Sequence, residues 1–182
     1  MNEYKNVMLI SPDDVKSQTD INFNVDDTAI GASIRVAQSI YLRDVIGDDL
    51  LEKIQVLVWN SIQGSGSSID DEINIAYKTL LDDYICNALA YKTATDLCDS
   101  QSYKVRNMGV VKTSDTNVND ATLGEILYLK NRYETYFNDA LNRMVKFICE
   151  NKDAYPESNF KCECFGSPLY GNTGLWLGKS KR

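Results

Sequence analysis

Apolar spacing limits the fold of this chain more than any other feature. Leu123, Ile126, Leu127, Tyr133, Phe137, Leu141, Met144, Val145 and Ile148 recur every three or four positions. That period places side chains on one face of an α-helix. It predicts a helix from a cap at Asp120 to about Asn151, closed by Ala154-Tyr155-Pro156 because proline cannot continue it. Ile73, Tyr77, Leu80, Leu81, Tyr84, Ala88, Tyr91 and Cys98 form a second stripe. It predicts a helix from Asp70-Asp71 to about Asp99, whose tyrosines suit either a core or a half-wet interface.

The first half of the chain reads the same way. Ser11-Pro12-Asp13-Asp14 supplies a cap, a proline at the first helical position and acids in the first turn, which starts a short helix to about Gln18. Asp26-Asp27 opens the next, with Ile30, Ile34, Ala37, Tyr41 and Val45 on one face and Ile40 beside them. Gly47 ends it, and Asp48 is read as the cap of another, carrying Leu50, Leu51, Ile54, Leu57 and Val58. That helix stops at the loop Gly64-Ser65-Gly66-Ser67-Ser68. Around Tyr103–Lys112 the period changes. β-Branched residues flank Asn107-Met108-Gly109, which predicts a hairpin or extended loop over about 101–116.

The final stretch has no period. Phe160, Phe165, Leu169, Tyr170, Leu175, Trp176 and Leu177 stand among glycines. Disordered tails are poor in aromatics, so this segment reads as an arm that packs on its own domain or docks on a partner. The expected architecture is mainly α: a small helical bundle over 1–152, with a projecting hairpin or loop, and an irregular C-terminal arm over 153–182.

The chain of 182 residues carries a net charge of −7 and no histidine. Acidity disfavours dedicated DNA binding, which needs clustered Lys and Arg. Without histidine there is no Ser-His-Asp or Cys-His system. Among the five cysteines, Cys86, Cys98 and Cys149 fall in helical patterns and read as buried thiols. Cys162 and Cys164 form a lone C-x-C, short of a zinc ligand set. Gly178-Lys179-Ser180 has the ending of a phosphate loop but lacks its first glycine and its following helix. The acidic pairs at 13–14, 26–27, 48–49 and 70–71 sit at predicted helix starts, where they favour the macrodipole. No catalytic, cofactor or metal site is expected. Met1–Asn6 lacks the basic start and apolar run of a signal peptide, and no apolar run is long enough to span a membrane, so the expected setting is a cytoplasm.

The order of several short motifs resembles a known family. Leu9-Ile10-Ser11-Pro12-x-Asp14-Val15 comes first. Ile34-x-x-Ala37-Gln38 then leads into Tyr41-Leu42-Arg43-Asp44-Val45-Ile46-Gly47-x-x-Leu50. Asn107-Met108-Gly109-Val110-Val111 and Asn151-x-x-x-Tyr155-Pro156 follow. Between Ile10 and Pro156 the chain is similar to the head–tail connector or adaptor proteins of tailed bacteriophages, in the version found in crAss-like phages. The resemblance implies a non-enzymatic virion protein in a homo-oligomeric ring, usually twelve-fold, between the portal protein and the next tail or adaptor protein. Genomic DNA would pass through its channel without sequence-specific binding. Asn107–Val111 and Phe165, Leu169, Tyr170, Leu175, Trp176 and Leu177 are then the candidate interface residues. The alternative, from the residues alone, is a small soluble helical regulator or binding module.

Overall fold

A computed structural model describes residues 3–106, 109–112 and 123–158, with side chains for 3–98 and 123–158. Helix α1 (Pro12–Gln18) begins on a reciprocal cap. The Ser11 hydroxyl accepts from the Asp14 N–H, and the Asp14 carboxylate accepts from the Ser11 N–H. Helix α2 (Asp27–Val36) is capped by Asp26 and runs through a π turn (Ala37–Leu42) into α3 (Arg43–Ile46). At Gly47 φ is +84°, which reverses the chain into α4 (Asp48–Gln63). Gly47 is itself the residue before the first turn of α4, where the sequence reading placed Asp48. Gly64, at φ +64° and ψ +31°, closes α4 in the left-handed region, as the sequence predicts.

The next helix starts later than its pattern suggested. Asp71 accepts from the Ser68 N–H, and a 3₁₀ turn (Glu72–Asn74) precedes α5 (Ile75–Thr79). Ile73 therefore lies outside the stripe and is 85% exposed. A second π turn (Leu80–Ile85) joins α5 to α6 (Cys86–Ser102). Strands β1 (Tyr103–Arg106) and β2 (Gly109–Lys112) pair antiparallel, with Arg106 opposite Gly109. The long α7 (Leu123–Glu150) packs along α6 and against the second π turn. The mainly α class is as the sequence predicts.

One large core joins the helices, with a smaller cluster of Ala88, Phe137 and Ala140 beside it. Val15, Ile30, Ile34, Leu50, Ile54, Leu80, Ile85, Met144 and Ile148 are fully enclosed. After Ile34 the buried positions are Ala37, as predicted, with Gln38, Leu42 and Ile46, and not Tyr41 and Val45. A spacing of four drifts on a 3.6-residue helix, and the wider π turn absorbs that drift. Gln38 tolerates burial because its amide nitrogen donates to the Val7 carbonyl (2.9 Å) and its amide oxygen accepts from the Leu9 N–H (3.1 Å). It thereby pins the N-terminal segment to the bundle. Tyr155, read as the start of the arm, is buried: its hydroxyl donates to the Ala76 carbonyl at 2.8 Å, and its ring lies edge-on to Tyr77 at 5.7 Å.

Cys86 donates to the Leu9 carbonyl at 3.7 Å, and burial, with Asp82 and Asp14 nearby, pushes its thiol up to about 12. Cys86 and Cys98 are thiols, whereas Cys149 is disulfide-bonded, against its expected place as a buried thiol. None of the described helices is long and apolar enough to cross a membrane.

Candidate functional site: exposed apolar surfaces and a tyrosine groove

The first turns of α7 are not buried. Leu123 is 70% exposed and Tyr128 71%, with Leu127 also exposed on the same stretch of helix. The apolar face predicted for the whole of α7 enters the core only from Tyr133, through Phe137, Ala140, Met144, Val145 and Ile148. A second group of exposed apolar residues, Ile62, Ile73 and Ile75, flanks the Gly/Ser loop between α4 and α5. Phe23, Val36 and Ile40 are a third, on the approach to α2 and on its outer side. Val36 and Ile40 are four apart where the π turn begins, so both escape the core while Ala37 and Gln38 enter it. Scattered surface apolars are ordinary. Runs of large ones on adjoining turns mark surfaces that meet other molecules.

A groove of about 590 Å³ lies between the second π turn with α6 on one side and α7 on the other. Its walls are Asp83, Tyr84, Asn87 and Tyr91 facing Tyr136, Asp139, Ala140 and Arg143. Tyr84 stacks flat on Phe147, with ring centroids 4.3 Å apart, and Tyr91 leans on Tyr136 at 5.5 Å. Arg143 is paired with Asp139 at 2.7 Å. Tyr91 and Tyr136 also line an adjoining hollow bounded by Gln18, Thr19, Asp20, Arg132 and Tyr133. There Arg132 pairs with Asp20, and the Tyr133 hydroxyl accepts from the Asp20 N–H.

Beneath this surface Lys92 is buried. Its ammonium lies 4.0 Å from the Tyr41 ring centroid and 5.5 Å from that of Phe137. It pairs with Asp96 at 3.3 Å and Glu134 at 3.5 Å. Two carboxylates and two aromatic faces compensate the lost hydration, and the charge ties the first π turn, α6 and α7 together.

Of the residues singled out on sequence, Gly109, Val110 and Val111 belong to β2. Asn107 and Met108 lie outside the described residues, as do Phe165, Leu169, Tyr170, Leu175, Trp176 and Leu177, the helix cap at Asp120, and Cys162 and Cys164. The motifs that carried the resemblance have structural roles in the first half: Ser11 and Asp14 cap α1, Gln38 clamps Val7 and Leu9, Gly47 turns the chain, and Ile34, Leu42, Ile46 and Leu50 fill the core. Sequence reasoning missed the groove. Its signal was present in Tyr84 with Tyr91 and Tyr136 with Arg143, two pairs seven apart and so each on one helix face.

Fold and surface define a class: a helical bundle with one large buried cluster and a smaller one around Ala88, Phe137 and Ala140, with no group of metal-binding side chains among the described residues and with apolar side chains displayed on separate elements. The chain belongs to a family of unknown function, DUF6712, whose model matches residues 42–166. No curated protein and no solved structure matches it.

Proposed function

We propose that this protein is a structural subunit of the head–tail connector of a tailed bacteriophage, forming a ring, dodecameric in the manner of the proteins it resembles, between portal and tail. The observation that carries the reading is the display of large apolar side chains on separate elements of a well-packed bundle. Leu123, Leu127 and Tyr128 lie on α7, and Ile62, Ile73 and Ile75 flank the α4–α5 loop. A head-to-tail ring contact joins two different faces of each subunit, and two such groups supply them. Aromatic anchors in the arm, Trp176 with Leu175 and Leu177, are the kind of side chain that dominates docking energies. The hairpin around Gly109 projects towards a neighbouring subunit or the next ring in this reading, where strand addition is an ordinary mode of attachment. An acidic subunit suits a channel wall along which DNA slides without binding. In this role the protein is not an enzyme and needs no cofactor.

Deleting Phe165–Arg182 tests the reading. The truncated chain is expected to keep its helical circular dichroism and to lose attachment to the portal ring in co-sedimentation. Normal attachment by the truncated chain would remove the arm from the account.

A further inference from the structure

The lining of the groove between α6 and α7 suits one kind of ligand. Its walls carry the rings of Tyr84, Tyr91 and Tyr136 and the carboxylates of Asp83 and Asp139. Among the described residues of that lining Arg143 is the one cation, and Asp139 holds it at 2.7 Å. Asp83, on the facing wall, is then a carboxylate without a cation in the groove. Asn87 donates an amide N–H to the Asp83 carbonyl at 2.7 Å, and its amide oxygen adds an acceptor to the same wall. Aromatic faces and an uncompensated carboxylate attract cations. They repel the phosphates of nucleic acid or of a membrane surface, as does the chain's net charge of −7. A wholly apolar ligand would cover the Asp83 carboxylate without pairing it, which is costly. The same two helices show the favoured chemistry one layer down. There the Lys92 ammonium lies 4.0 Å from the Tyr41 ring centroid and 5.5 Å from that of Phe137, with Asp96 at 3.3 Å and Glu134 at 3.5 Å. The groove repeats the rings and the carboxylate, while its own Arg143 is held by Asp139.

We propose that the α6/α7 groove receives an arginine side chain of a partner protein, its guanidinium on Asp83 and Tyr84 and its flanking peptide along Tyr91 and Tyr136. Arginine fits better than lysine, because its planar guanidinium both forks onto a carboxylate and stacks on a ring. From Asp83 to Tyr91 the wall runs about 12 Å at the helical rise. That is longer than one side chain, and the volume of about 590 Å³ is that of a site for a short stretch of peptide. The inference goes beyond the ring reading and stands equally if the protein forms no ring.

The test uses the full chain with isotope-labelled tyrosine, followed by NMR of the ring signals. The probe is the peptide acetyl-Gly-Arg-Gly-Arg-Gly-amide, and its control carries citrulline, the neutral isostere, in place of each arginine. The expected result is saturable movement of the Tyr84, Tyr91 and Tyr136 signals, with that of Tyr128, exposed elsewhere on α7, unmoved. The citrulline peptide is expected to bind about tenfold more weakly, having lost both the ion pair and the cation–π contact. Asp83→Asn should weaken the arginine peptide about threefold. Glu3→Gln, which removes the same charge outside the groove, should leave it unchanged. Equal binding of the two peptides would overturn the assignment, and that comparison needs no variant of the protein. So would an absence of saturable binding, an equal loss in Asp83→Asn and Glu3→Gln, or movement of Tyr128 as large as that of the groove tyrosines, since each leaves only diffuse attraction to an acidic surface or none.

Discussion

Gln38 shows how much a single polar side chain does here. It sits between Ile34 and Leu42 on the buried face, yet it is polar, and it makes both hydrogen bonds, to Val7 and to Leu9. In Gln38→Ala a buried N–H and a buried carbonyl lose their partners, at roughly 1–3 kcal/mol each. The variant is expected to lose about 3 kcal/mol in urea denaturation, with the slope against denaturant unchanged. A loss below 1 kcal/mol would mean that water replaces the amide. Cys86 makes a second residue-scale prediction. Unfolded, its thiol ionises near 9.0, whereas in the folded chain burial holds it up to about 12. Tyr155 shifts the same way, from 10.0 to about 12, through burial and the nearby Tyr84. The unfolded chain therefore releases protons that the folded chain retains, so stability is full below pH 9 and declines as the pH rises towards 12. Thermal melts are expected to show a steady fall in Tm over that window. The fall should be shallower in Cys86→Ala, and an identical slope would remove Cys86 as a source.

At the scale of elements, the exposed residues lend themselves to charge substitution. Leu127→Glu and Ile73→Glu replace side chains that the bundle does not enclose, so the cost to folding is expected within about 0.5 kcal/mol. Each should reduce self-association by at least tenfold in sedimentation velocity. Retained association with lowered stability would instead mean that these residues pack within the subunit. Much of this level was legible in sequence. Ser11-Pro12-Asp13-Asp14, Asp26 and Gly64 mark helix ends where they stand, because capping chemistry is local. The two π turns were not legible. A reading at period 3.6 assumes one hydrogen-bonding pattern, so it put Tyr41 and Val45 where Leu42 and Ile46 are buried, and the run 34, 38, 42, 46 was the missed sign. The apolar stripe on α7 is legible as one helix face, yet its first turns are exposed and only Tyr133 onward is buried, since periodicity reports a face and not what covers it. The groove lay beyond reach for another reason: its walls are about fifty residues apart in sequence, and only tertiary packing brings them together.

For the whole molecule, the claim is that a bundle already closed around its buried clusters leaves its remaining apolar surface for other chains. Helices α1 to α4, α6 and α7 bury side chains in the main core and α5 packs Ala76 and Tyr77 against it, so under the proposed ring reading assembly would use surfaces the folded subunit already displays. Imaging of the purified full-length protein mixed with its portal ring is the most direct test of that claim. The account predicts an added ring of about twelve copies stacked coaxially on one end of the portal. Bare portal rings beside a monomeric protein, at concentrations well above those of an infected cell, would contradict it.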